Sequence, residues 1–582
     1  MAWERVQLPE SPVARGFLDE VGTITEALVR LAEAHPDFAC LVFYDRSGRE
    51  ERLTLGRLLA RAGAVRAVLE ARGLQRGGHV LTILPTGAEL VAAYVGTLLA
   101  GGVPALASTP TQRAAEPAAY RRLIGGMLLC GPAHLAYCDD TSAAILRAES
   151  AAAPAGGFVG PADVDAAGTV RERAAILPDP DDVATVQFSS GSTGPPKGIR
   201  LSHRAMLNNV RAIRDGLGIG PRDVSVNWIP LYHDMGLIDA FLLPLLCGCP
   251  TVLIPTTDFI REPRVWLAGL HRYGGTLSWA PNFAYALCVQ RLREEQLAGL
   301  DLSSWRLAIN AAEPVLARTI RTFTERFAPY GFRAAAMTPA WGLAENVTIA
   351  TAHGEGEPRI ETIDRAALAA HGEARPTDGA GIESVAIGRC LPRCTIEIRE
   401  GGRVLADRRI GEVWLRSDSL FAGYHRDPEL TARTLVDGWL DTGDRGYLAD
   451  GDLFFVARSK DLIIVAGEKY APNHIEAAIN EVPGVRAGCV VVFGVVDPDR
   501  GTEDVAAVVE TRFAEADDAA ATRRESALAE LAGAIRSHVT RTTGLAIRHL
   551  ELVPPGGIRK TTSGKLARAA TRERYAAAFL PG

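Results

Sequence analysis

One ten-residue stretch decides the expected fold: Ser189-Ser190-Gly191-Ser192-Thr193-Gly194-Pro195-Pro196-Lys197-Gly198. It directly follows the apolar run Ala184–Phe188, typical of a buried strand, and it precedes the helical pattern of Ser202–Leu217. A loop of Gly, Ser and Thr at the carboxyl end of a strand presents backbone N–H groups and hydroxyls to phosphate oxygens. The order G-x-x-x-x-G-K-[ST] is absent, so this loop is not a Walker loop. We therefore expect an α/β fold that binds a phosphate.

The same alternation of helices and strands extends outward from this loop. Helical patterns cover Thr54–Arg72 and Ala88–Leu99, and the apolar runs His79–Leu84 and Val103–Leu106 indicate strands. Strand, helix and strand in that order predict a parallel sheet with right-handed crossovers. Further predicted elements are the strands Thr251–Ile254 and Trp305–Asn310, the helices Trp266–Tyr273, Ser278–Leu287 and Leu566–Phe579, short hairpin-like strands between Gly388 and Val456, and a loop over Ala148–Asp182.

Composition excludes several classes of protein. The net charge of −6 gives no basic surface for nucleic acid. No run of 18 or more apolar residues and no leader-like N-terminus are present, which argues against a membrane span or secretion. The nine cysteines lack the paired spacing of a zinc ribbon and are typical of reduced thiols, so we expect a cytoplasmic protein.

Lysine is rare in this chain. Of the 63 basic residues only five are lysines, and the other 58 are arginines. The five are Lys197, Lys460, Lys469, Lys560 and Lys565. A lysine ammonium is a compact charge on a flexible stem, which suits it to reach a phosphate or a reacting carboxylate. We therefore treat these lysines as candidates for the reaction chemistry.

Five segments in order resemble the motifs of the adenylate-forming superfamily, which includes acyl-CoA synthetases, luciferases and peptide-synthetase adenylation domains. They are the phosphate loop Ser189–Gly198, the nucleotide turn Ala340–Glu345, the ribose segment Trp439–Asp444, the hinge Arg458–Ile463 and the terminal loop Lys560–Lys565. The resemblance implies a large N-terminal domain (residues 1–457) of mixed and parallel sheets with helices and a small β-rich subdomain. A small, mobile α+β C-terminal domain (residues 458–582) would carry the catalytic lysine.

The resemblance also implies a reaction with ATP and Mg²⁺. Lys565 would contact the acyl carboxylate and the α-phosphate, because two anions must meet in the transition state. Glu345 would hold Mg²⁺, which prefers hard oxygen ligands. Asp444 and Arg458 would bind the ribose, and Lys460 would lie at the hinge between two poses. For Asp444 and Glu345, a turn-capping carboxylate and a surface charge are the structural alternatives.

The remaining nucleotide contacts are implied for residues of three segments. They are Ser189, Ser190, Gly191, Ser192, Thr193, Gly194 and Lys197, then Ala311, Ala312 and Glu313, then Ala340, Trp341, Gly342 and Leu343. Lys197 would also help to neutralise charge during catalysis. Two positions depart from the family pattern, with Ala311 in place of Gly and Trp341 in place of Tyr, but an indole can still stack on a base.

Within the superfamily the chain most resembles fatty acyl-AMP ligases. The segments Trp228–Ile238, Ala280–Tyr285 and Asn310–Val315 resemble their substrate pocket. This likeness implies a fatty acid substrate and assigns it the side chains His233, Asp234, Asn282 and Phe283. His233 would steer the carboxylate or line the acyl tunnel; the alternative is a core histidine. The apolar segment Asp239–Leu246 and the helix Ser278–Leu287 are candidates for the tunnel wall.

A polar stretch at about residues 351–384 resembles the insertion of these ligases. Such an insertion is associated with restricted domain motion, so the resemblance implies transfer of the acyl group to the phosphopantetheine thiol of an acyl carrier protein acting in trans. The alternative is an ordinary surface loop. Two other functions stay open: an acyl-CoA ligase or an aryl- or amino-acid adenylating enzyme, and a non-catalytic binding protein with the same fold.

Overall fold

The structure is a computed structural model that describes residues 4–110, 120, 124–127, 134–147, 154–167, 175–188, 196–465, 468–497, 502–512, 521–561 and 565–579. The predicted phosphate-loop residues Ser189, Ser190, Gly191, Ser192, Thr193 and Gly194 lie outside these ranges. Within them, no helix is both long and apolar enough to cross a membrane.

A nine-stranded mixed sheet forms the centre of the molecule. In spatial order its strands are Arg389–Cys390, Ile349–Ala352, Met337–Gly342, Leu307–Ala311, Leu277–Pro281, Ser225–Asn227, Thr251–Leu253, Leu41–Tyr44 and Glu50–Leu53. The six strands from Met337–Gly342 to Leu41–Tyr44 run parallel, and the outer strands are antiparallel. Parallel strands buried on both faces need apolar residues on each side, which explains the continuous apolar run at Leu307–Ala311.

A second, four-stranded sheet lies beside the first and is wholly parallel. Its order is Val103–Leu106, His79–Ile83, Leu135–Cys138 and Phe158–Val159. The predicted strand–helix–strand unit is confirmed here, with the connecting helix at Ala88–Leu99. The predicted loop Ala148–Asp182 is wrong in part, because it contains the strand Phe158–Val159 and the helix Pro161–Ala166. Both are too short to give a periodic signal over a window of 11 residues or more.

The hairpin that carries the phosphate loop pairs Val183–Phe188 with Gly198–Ser202. The helix His203–Leu217 follows at once. Ser202 caps this helix by accepting a hydrogen bond from the backbone N–H of Ala205, and Gly218 ends it with a φ of 60°. The hairpin thereby fixes both ends of the loop relative to the core.

The remaining sheets are antiparallel or mixed and lie toward the C-terminus. A six-stranded sheet contains Arg403–Val404, Cys394–Glu400, Gly411–Ser417, Trp439–Ala449, Leu435–Val436 and Asp452–Arg458. Two-stranded hairpins pair Ile360–Ile363 with Ile382–Val385 and Ile463–Val465 with Glu468–Tyr470. A three-stranded sheet contains Val485–Asp497, Thr502–Thr511 and Ile547–Val553.

The other helices pack on these sheets. They are Ile24–Ala34, Leu55–Ala71, Asp140–Arg147, Leu243–Leu246, Thr256–Arg261, Arg264–Arg272, Asn282–Arg291, Ala317–Phe327, Arg365–His371, Pro428–Thr434, Pro472–Asn480, Ala521–Thr543 and Arg568–Phe579, with a π-helix at Met235–Leu242. The predicted α/β fold class is confirmed. The helix predicted over Ser278–Leu287 is corrected, because residues 278–281 belong to the strand Leu277–Pro281. Pro281, which cannot donate a ladder hydrogen bond, ends that strand.

The stretch predicted as an insertion is a folded unit. It contains the hairpin Ile360–Ile363/Ile382–Val385 and the helix Arg365–His371. Its apolar side chains Ile363, Leu368 and Ile382 join one buried cluster, which we call the insertion cluster. The other members are Ala374, Ala386, Ile410, Tyr447, Ala449, Phe454, Val456, Ala457, Leu462 and Ala471.

Candidate active site

Three neighbouring parallel strands end at one edge of the large sheet. Asn282 follows the strand Leu277–Pro281, Ala312 and Glu313 follow Leu307–Ala311, and Trp341 lies near the end of Met337–Gly342. Ligands of open α/β sheets bind beyond the carboxyl ends of the strands, so this edge is the expected place for a site.

Glu313 is held in a turn beside the helix Asn282–Arg291. Its carboxylate accepts a hydrogen bond from the backbone N–H of Phe283, and Ala312 before it has a φ of 70°. Burial raises the pKa of Glu313, while Lys565 and Lys560 act against that rise. The side-chain oxygen of Asn282 accepts from the backbone N–H of Leu316 at 3.2 Å. Glu313 and Asn282, which the sequence predicted as site residues, thus lie at the strand ends, and each accepts a hydrogen bond from a neighbouring backbone N–H.

A second group of side chains lies near these strand ends, and we call the space between the two groups the cleft. This second group consists of Trp341, Asp444 and Arg458. The Trp341 indole N–H donates to Asp444 Oδ2 at 2.8 Å, although 103 positions separate them in sequence. Arg458 Nε lies 2.9 Å from Asp444 Oδ1, and the two residues are cross-strand partners. Burial raises the pKa of Asp444, and the nearby Arg458 charge opposes that effect.

One oxygen of this buried carboxylate can still accept a hydrogen bond from a ligand. The Asp444 side chain is 2% exposed; its Oδ1 forms the ion pair with Arg458, but within the described ranges it accepts no hydrogen bond from the protein. A buried polar atom without a hydrogen bond destabilises the folded protein unless a ligand or another group supplies the hydrogen bond. A ribose hydroxyl would supply that hydrogen bond, so the site fits a nucleotide.

Gly342 allows the nucleotide turn to fold back on its own strand. A Cβ atom built there would lie 2.1 Å from the carbonyl oxygen of Thr348. The strand register shifts between Trp341 and Gly342, which marks a bulge at this position. Glu345 follows in a short 3₁₀ turn, Ala344–Asn346.

Glu345 is oriented by a residue that the sequence did not single out. Tyr424 O–H donates to Glu345 Oε1 at 2.8 Å, and the Lys197 ammonium lies 5.2 Å from the centroid of the Tyr424 ring. A carboxylate is a hard oxygen donor, so Glu345 fits a Mg²⁺ ion. Tyr424 is 79 positions from Glu345, and no local motif connects the two in the sequence.

Lys565 reaches the same cleft from the C-terminal part of the chain. Its ammonium donates to His233 Nε2 at 2.8 Å, and His233 Nδ1 lies 2.6 Å from Asp234 Oδ1. The backbone N–H of Thr561 donates to the carbonyl of Lys565 at 2.7 Å. Burial lowers the pKa of Lys565, whereas the carboxylates of Asp234 and Glu313 favour its charged form. The structure thus joins residues that are 332 positions apart.

Lys460 lies on the nucleotide side of the cleft. Burial and then the adjacent Arg458 lower its pKa, and the Lys197 ammonium acts in the same direction. The residue belongs to the 3₁₀ turn Ser459–Asp461 that follows the last strand of the six-stranded sheet.

A cavity of about 2180 Å³ borders Asn282, Phe283 and Glu313. Leu84, Leu106, Leu287 and Lys560 also line it. The cavity also contacts Tyr232 and Leu566, the chain neighbours of His233 and Lys565. Part of the predicted tunnel wall is absent from the lining, since residues 239–246 are described, are buried and do not contribute to it.

The contacts of Asp239 show where residues 239–246 lie instead of lining the cavity. Asp239 belongs to the π-helix Met235–Leu242, and its Oδ1 accepts a hydrogen bond from the hydroxyl of Thr348 at 2.8 Å. Burial raises its pKa well above the usual range. The apolar side chains around it pack in the main core. A run of apolar residues in a sequence is compatible with either a buried core segment or a tunnel wall, so the sequence alone could not separate the two.

Comparison with known proteins agrees with this geometry. Residues 28–425 match the family of AMP-binding enzymes. The long-chain-fatty-acid–AMP ligase FadD26 of Mycobacterium marinum is 34% identical over 95% of this chain and 97% of its own length. A Caulobacter vibrioides protein, provisionally named an acyl-CoA synthetase, is 34% identical over 90% of this chain and 91% of its own length.

Solved structures show the same relationship. A structure from work on fatty acyl-adenylate ligases of E. coli and L. pneumophila superposes with a TM-score of 0.87 at 32% identity, covering 96% of this chain and 99% of that one. The chain belongs to the AMP-binding, adenylate-forming enzymes. Its place within that family is among the fatty acyl-AMP ligases, as the sequence predicted.

Proposed function

We propose that this enzyme activates a fatty acid with ATP, forming an acyl-adenylate and pyrophosphate, and then passes the acyl group to the phosphopantetheine thiol of a carrier protein, with release of AMP and the thiol proton. The observation that carries the first step is the position of Lys565 at His233, Asp234 and Glu313, beside a cavity with apolar walls. FadD26 of Mycobacterium marinum, with which the chain aligns nearly end to end, is named for the same activation.

The chain's own groups supply what the first half-reaction needs. The fatty acid carboxylate attacks the α-phosphorus of ATP, and pyrophosphate leaves. Because the two reactants are both anionic, the positive charge of Lys565 lowers the barrier to their approach. Asp444 would accept a hydrogen bond from the ribose, Trp341 would flank the base, and Glu345 would hold Mg²⁺, which neutralises phosphate charge when bound.

We place the acyl chain in the apolar part of the cavity, toward Leu84, Leu106 and Leu287. A saturated chain forms no directional contacts, so apolar walls hold it through the hydrophobic effect. Phe283 borders the same space and donates its backbone N–H to Glu313, which ties the acyl wall to the catalytic end.

The insertion supports transfer to a carrier protein. The insertion cluster joins Leu368 of the inserted helix to Leu462 and Ala471 of the C-terminal part. A large swing of the C-terminal part would expose these apolar contacts, which costs free energy. We therefore propose a division into residues 1–457 and 458–582, with a hinge at Lys460 whose range the insertion restricts. Buried clusters made only of residues 463–579 support this division.

An acyl-CoA ligase is the second candidate, because the Caulobacter vibrioides relative carries that provisional name. The experiment measures ATP–pyrophosphate exchange for a panel of acids, and then follows the acyl group with CoA or a holo carrier protein as acceptor. We expect exchange with fatty acids and acylation of the carrier. Acyl-CoA as the main product would reject the carrier proposal, and no acid-dependent exchange would reject activation itself.

A further inference from the structure

Asp234, His233 and Lys565 form a continuous chain of polar contacts. His233 Nδ1 lies 2.6 Å from Asp234 Oδ1, and the Lys565 ammonium donates to His233 Nε2 at 2.8 Å. The side chains of His233 and Asp234 are only 14% and 18% exposed. The imidazole therefore connects an anion on one side to a cation on the other.

The backbone around His233 is fixed independently of Lys565. The carbonyl of His233 accepts hydrogen bonds from the N–H groups of Gly236 and Leu237, and its own N–H donates to the carbonyl of Pro230 at 3.0 Å. A Cβ atom at Gly236 would lie 2.1 Å from that same carbonyl oxygen, so only glycine permits this turn. The imidazole is thus presented from a rigid support at the start of the π-helix Met235–Leu242.

The contacts favour a proton on one ring nitrogen over the other. The backbone N–H of Met235 lies 3.2 Å from His233 Nδ1, but it makes the shorter hydrogen bond, 2.7 Å, to Asp234 Oδ1, and a ring nitrogen only 2.6 Å from a carboxylate oxygen needs a proton between the two atoms. An ammonium group has only donors, so the nitrogen that faces Lys565 must offer a lone pair. Although burial opposes it, the hydrogen bonds from His233 and from the backbone of Met235, together with the Lys565 charge, lower the pKa of Asp234, so this carboxylate is an acceptor at neutral pH. Nδ1–H then donates to Asp234 and Nε2 accepts from Lys565, which describes a neutral imidazole.

We infer that Asp234 and neutral His233 are positioning residues that hold the Lys565 ammonium in place for adenylation. The inference rests on the proposed activation of a fatty acid by ATP. One N–H of the ammonium donates to His233, and we assign the other two to the reacting anions. Asp234 acts through the tautomer of His233, and neither residue needs to touch the substrate.

The charges around His233 and Lys565 predict that their hydrogen bond, and with it adenylate formation, is lost at acidic pH. Lys565 and Asp234 act on His233, and Asp234, Glu313 and Arg458 act on Lys565. Burial and then Lys565 lower the pKa of His233 below its ordinary value, so the ring is neutral near neutral pH. When acid protonates the ring, the acceptor is lost and two cations face each other, so adenylation falls.

The first test compares His233→Gln, His233→Ala and Asp234→Asn. Asparagine can keep an oxygen for the backbone N–H of Met235, but it removes the negative charge that favours a proton on Nδ1, so the imidazole is held less firmly as an acceptor for the ammonium. We expect Asp234→Asn and His233→Ala to lower kcat for adenylate formation about 10- to 100-fold, with KM for ATP and acid changed less than about threefold. Glutamine places an amide oxygen near the former Nε2, so His233→Gln should retain more activity than His233→Ala and should not show the loss at acidic pH.

The second test does not depend on activity. Because the chain has five lysines, acetic anhydride labelling followed by mass spectrometry can report each one separately. We expect Lys565 to react several-fold faster in Asp234→Asn and His233→Ala than in the unmodified enzyme, with Lys469 as the internal reference. The control His538→Gln alters a surface histidine that lies 2.8 Å from Glu481 and should change neither measurement.

The outcomes separate this inference from the proposed function. Equal labelling of Lys565 in the unmodified enzyme and in folded Asp234→Asn protein would overturn the inference, as would full kcat in that variant. If the unmodified enzyme forms no acyl-adenylate, the proposed function fails, but the labelling still tests whether Asp234 and His233 hold Lys565. If His233→Ala does not fold, the comparison of His233→Gln with Asp234→Asn remains decisive.

Discussion

At the scale of single residues, the nucleotide side of the cleft depends on Asp444. Its Oδ2 accepts from the Trp341 indole, and its Oδ1, which pairs with Arg458, accepts no hydrogen bond from the part of the chain that the structure describes. We expect Asp444→Asn to weaken ATP binding about 10- to 100-fold, because a hydrogen bond to a charged group is lost. ATP–pyrophosphate exchange at varied ATP measures the effect.

The matched control is Asp437→Asn, an exposed turn position before the same long strand. Its φ of 52° is one that asparagine adopts readily. Unchanged ATP affinity in folded Asp444→Asn protein would contradict the ribose assignment. An equal loss in both variants would point to a general effect on the sheet instead.

Motifs in the sequence nominate these residues, but the contacts between them can be described only from the structure. Asp444, Glu345 and Lys565 each lie in a recognisable motif, and the structure brings all three to one cleft. Tyr424 was missed, because its contact with Glu345 spans 79 positions and follows from tertiary packing alone. His233 was assigned to the substrate, while the structure places its Nε2 against Lys565.

At the scale of elements, the inserted helix Arg365–His371 offers a direct test of the restricted hinge. Leu368→Asp places a charge in the insertion cluster, whereas Ala366→Asp changes the exposed face of the same helix. We expect Leu368→Asp to loosen the C-terminal part, because a buried charge is costly. Hydrogen exchange over residues 458–465 should rise, and transfer to CoA should increase relative to Ala366→Asp. No difference between the two variants would contradict the role of the insertion.

A second element, the bulge at Gly342, sets the path of the nucleotide turn. Gly342→Ala would place a Cβ atom 2.1 Å from Thr348 O and 2.3 Å from Ile349 Cα. The strands must shift, so we expect destabilisation of about 1–3 kcal/mol and weaker ATP binding. Gly354→Ala, where nothing lies within 4 Å, is the control. Thermal unfolding and pyrophosphate exchange measure both, and a Gly342→Ala protein as stable and active as the control would refute this account.

Elements with a continuous periodic or apolar pattern were predictable from the sequence, even the short strand Val103–Leu106, whereas elements without such a pattern were not. The helix Ala88–Leu99 has the predicted bounds, since a glycine precedes it and Gly101 and Gly102 follow it closely. The apolar run at Asp239–Leu246 gave no sign of a π-helix, because the usual 3.6-residue period does not describe one. The polar insertion gave no strand signal, as its hairpin is held by contacts to distant sheets.

At the scale of the whole molecule, buried histidines connect stability to pH. His203 is 2% exposed, and its Nδ1 accepts from the backbone N–H of Ile24 at 3.3 Å. Burial lowers its pKa to about 4. The unfolded chain takes up the proton first, so this stabilisation is present above about pH 6.5 and is lost as the pH falls toward 4.

We expect His203→Asn to reduce this dependence, because the asparagine oxygen can accept from Ile24 but does not titrate. The full effect is roughly 3 kcal/mol across the window. Urea unfolding at about pH 7 and about pH 5 measures it. His371→Asn, an exposed position, should keep the dependence of the unmodified protein. An identical pH slope for His203→Asn and the unmodified protein would show that His203 is not the responsible group.

Because Trp341 is hydrogen-bonded to Asp444, we expect the fluorescence of Trp341 to change when a ligand binds in the cleft. Indole emission responds to the charge and hydration of its surroundings, and this indole is bonded to the carboxylate that a ribose would approach. Among the eight tryptophans of the chain, replacement of Trp341 by phenylalanine isolates its contribution by subtraction. The intensity of Trp341 emission can thus report occupancy of the site in real time without a label. Its time course after mixing with nucleotide or acid can show which of the two binds first.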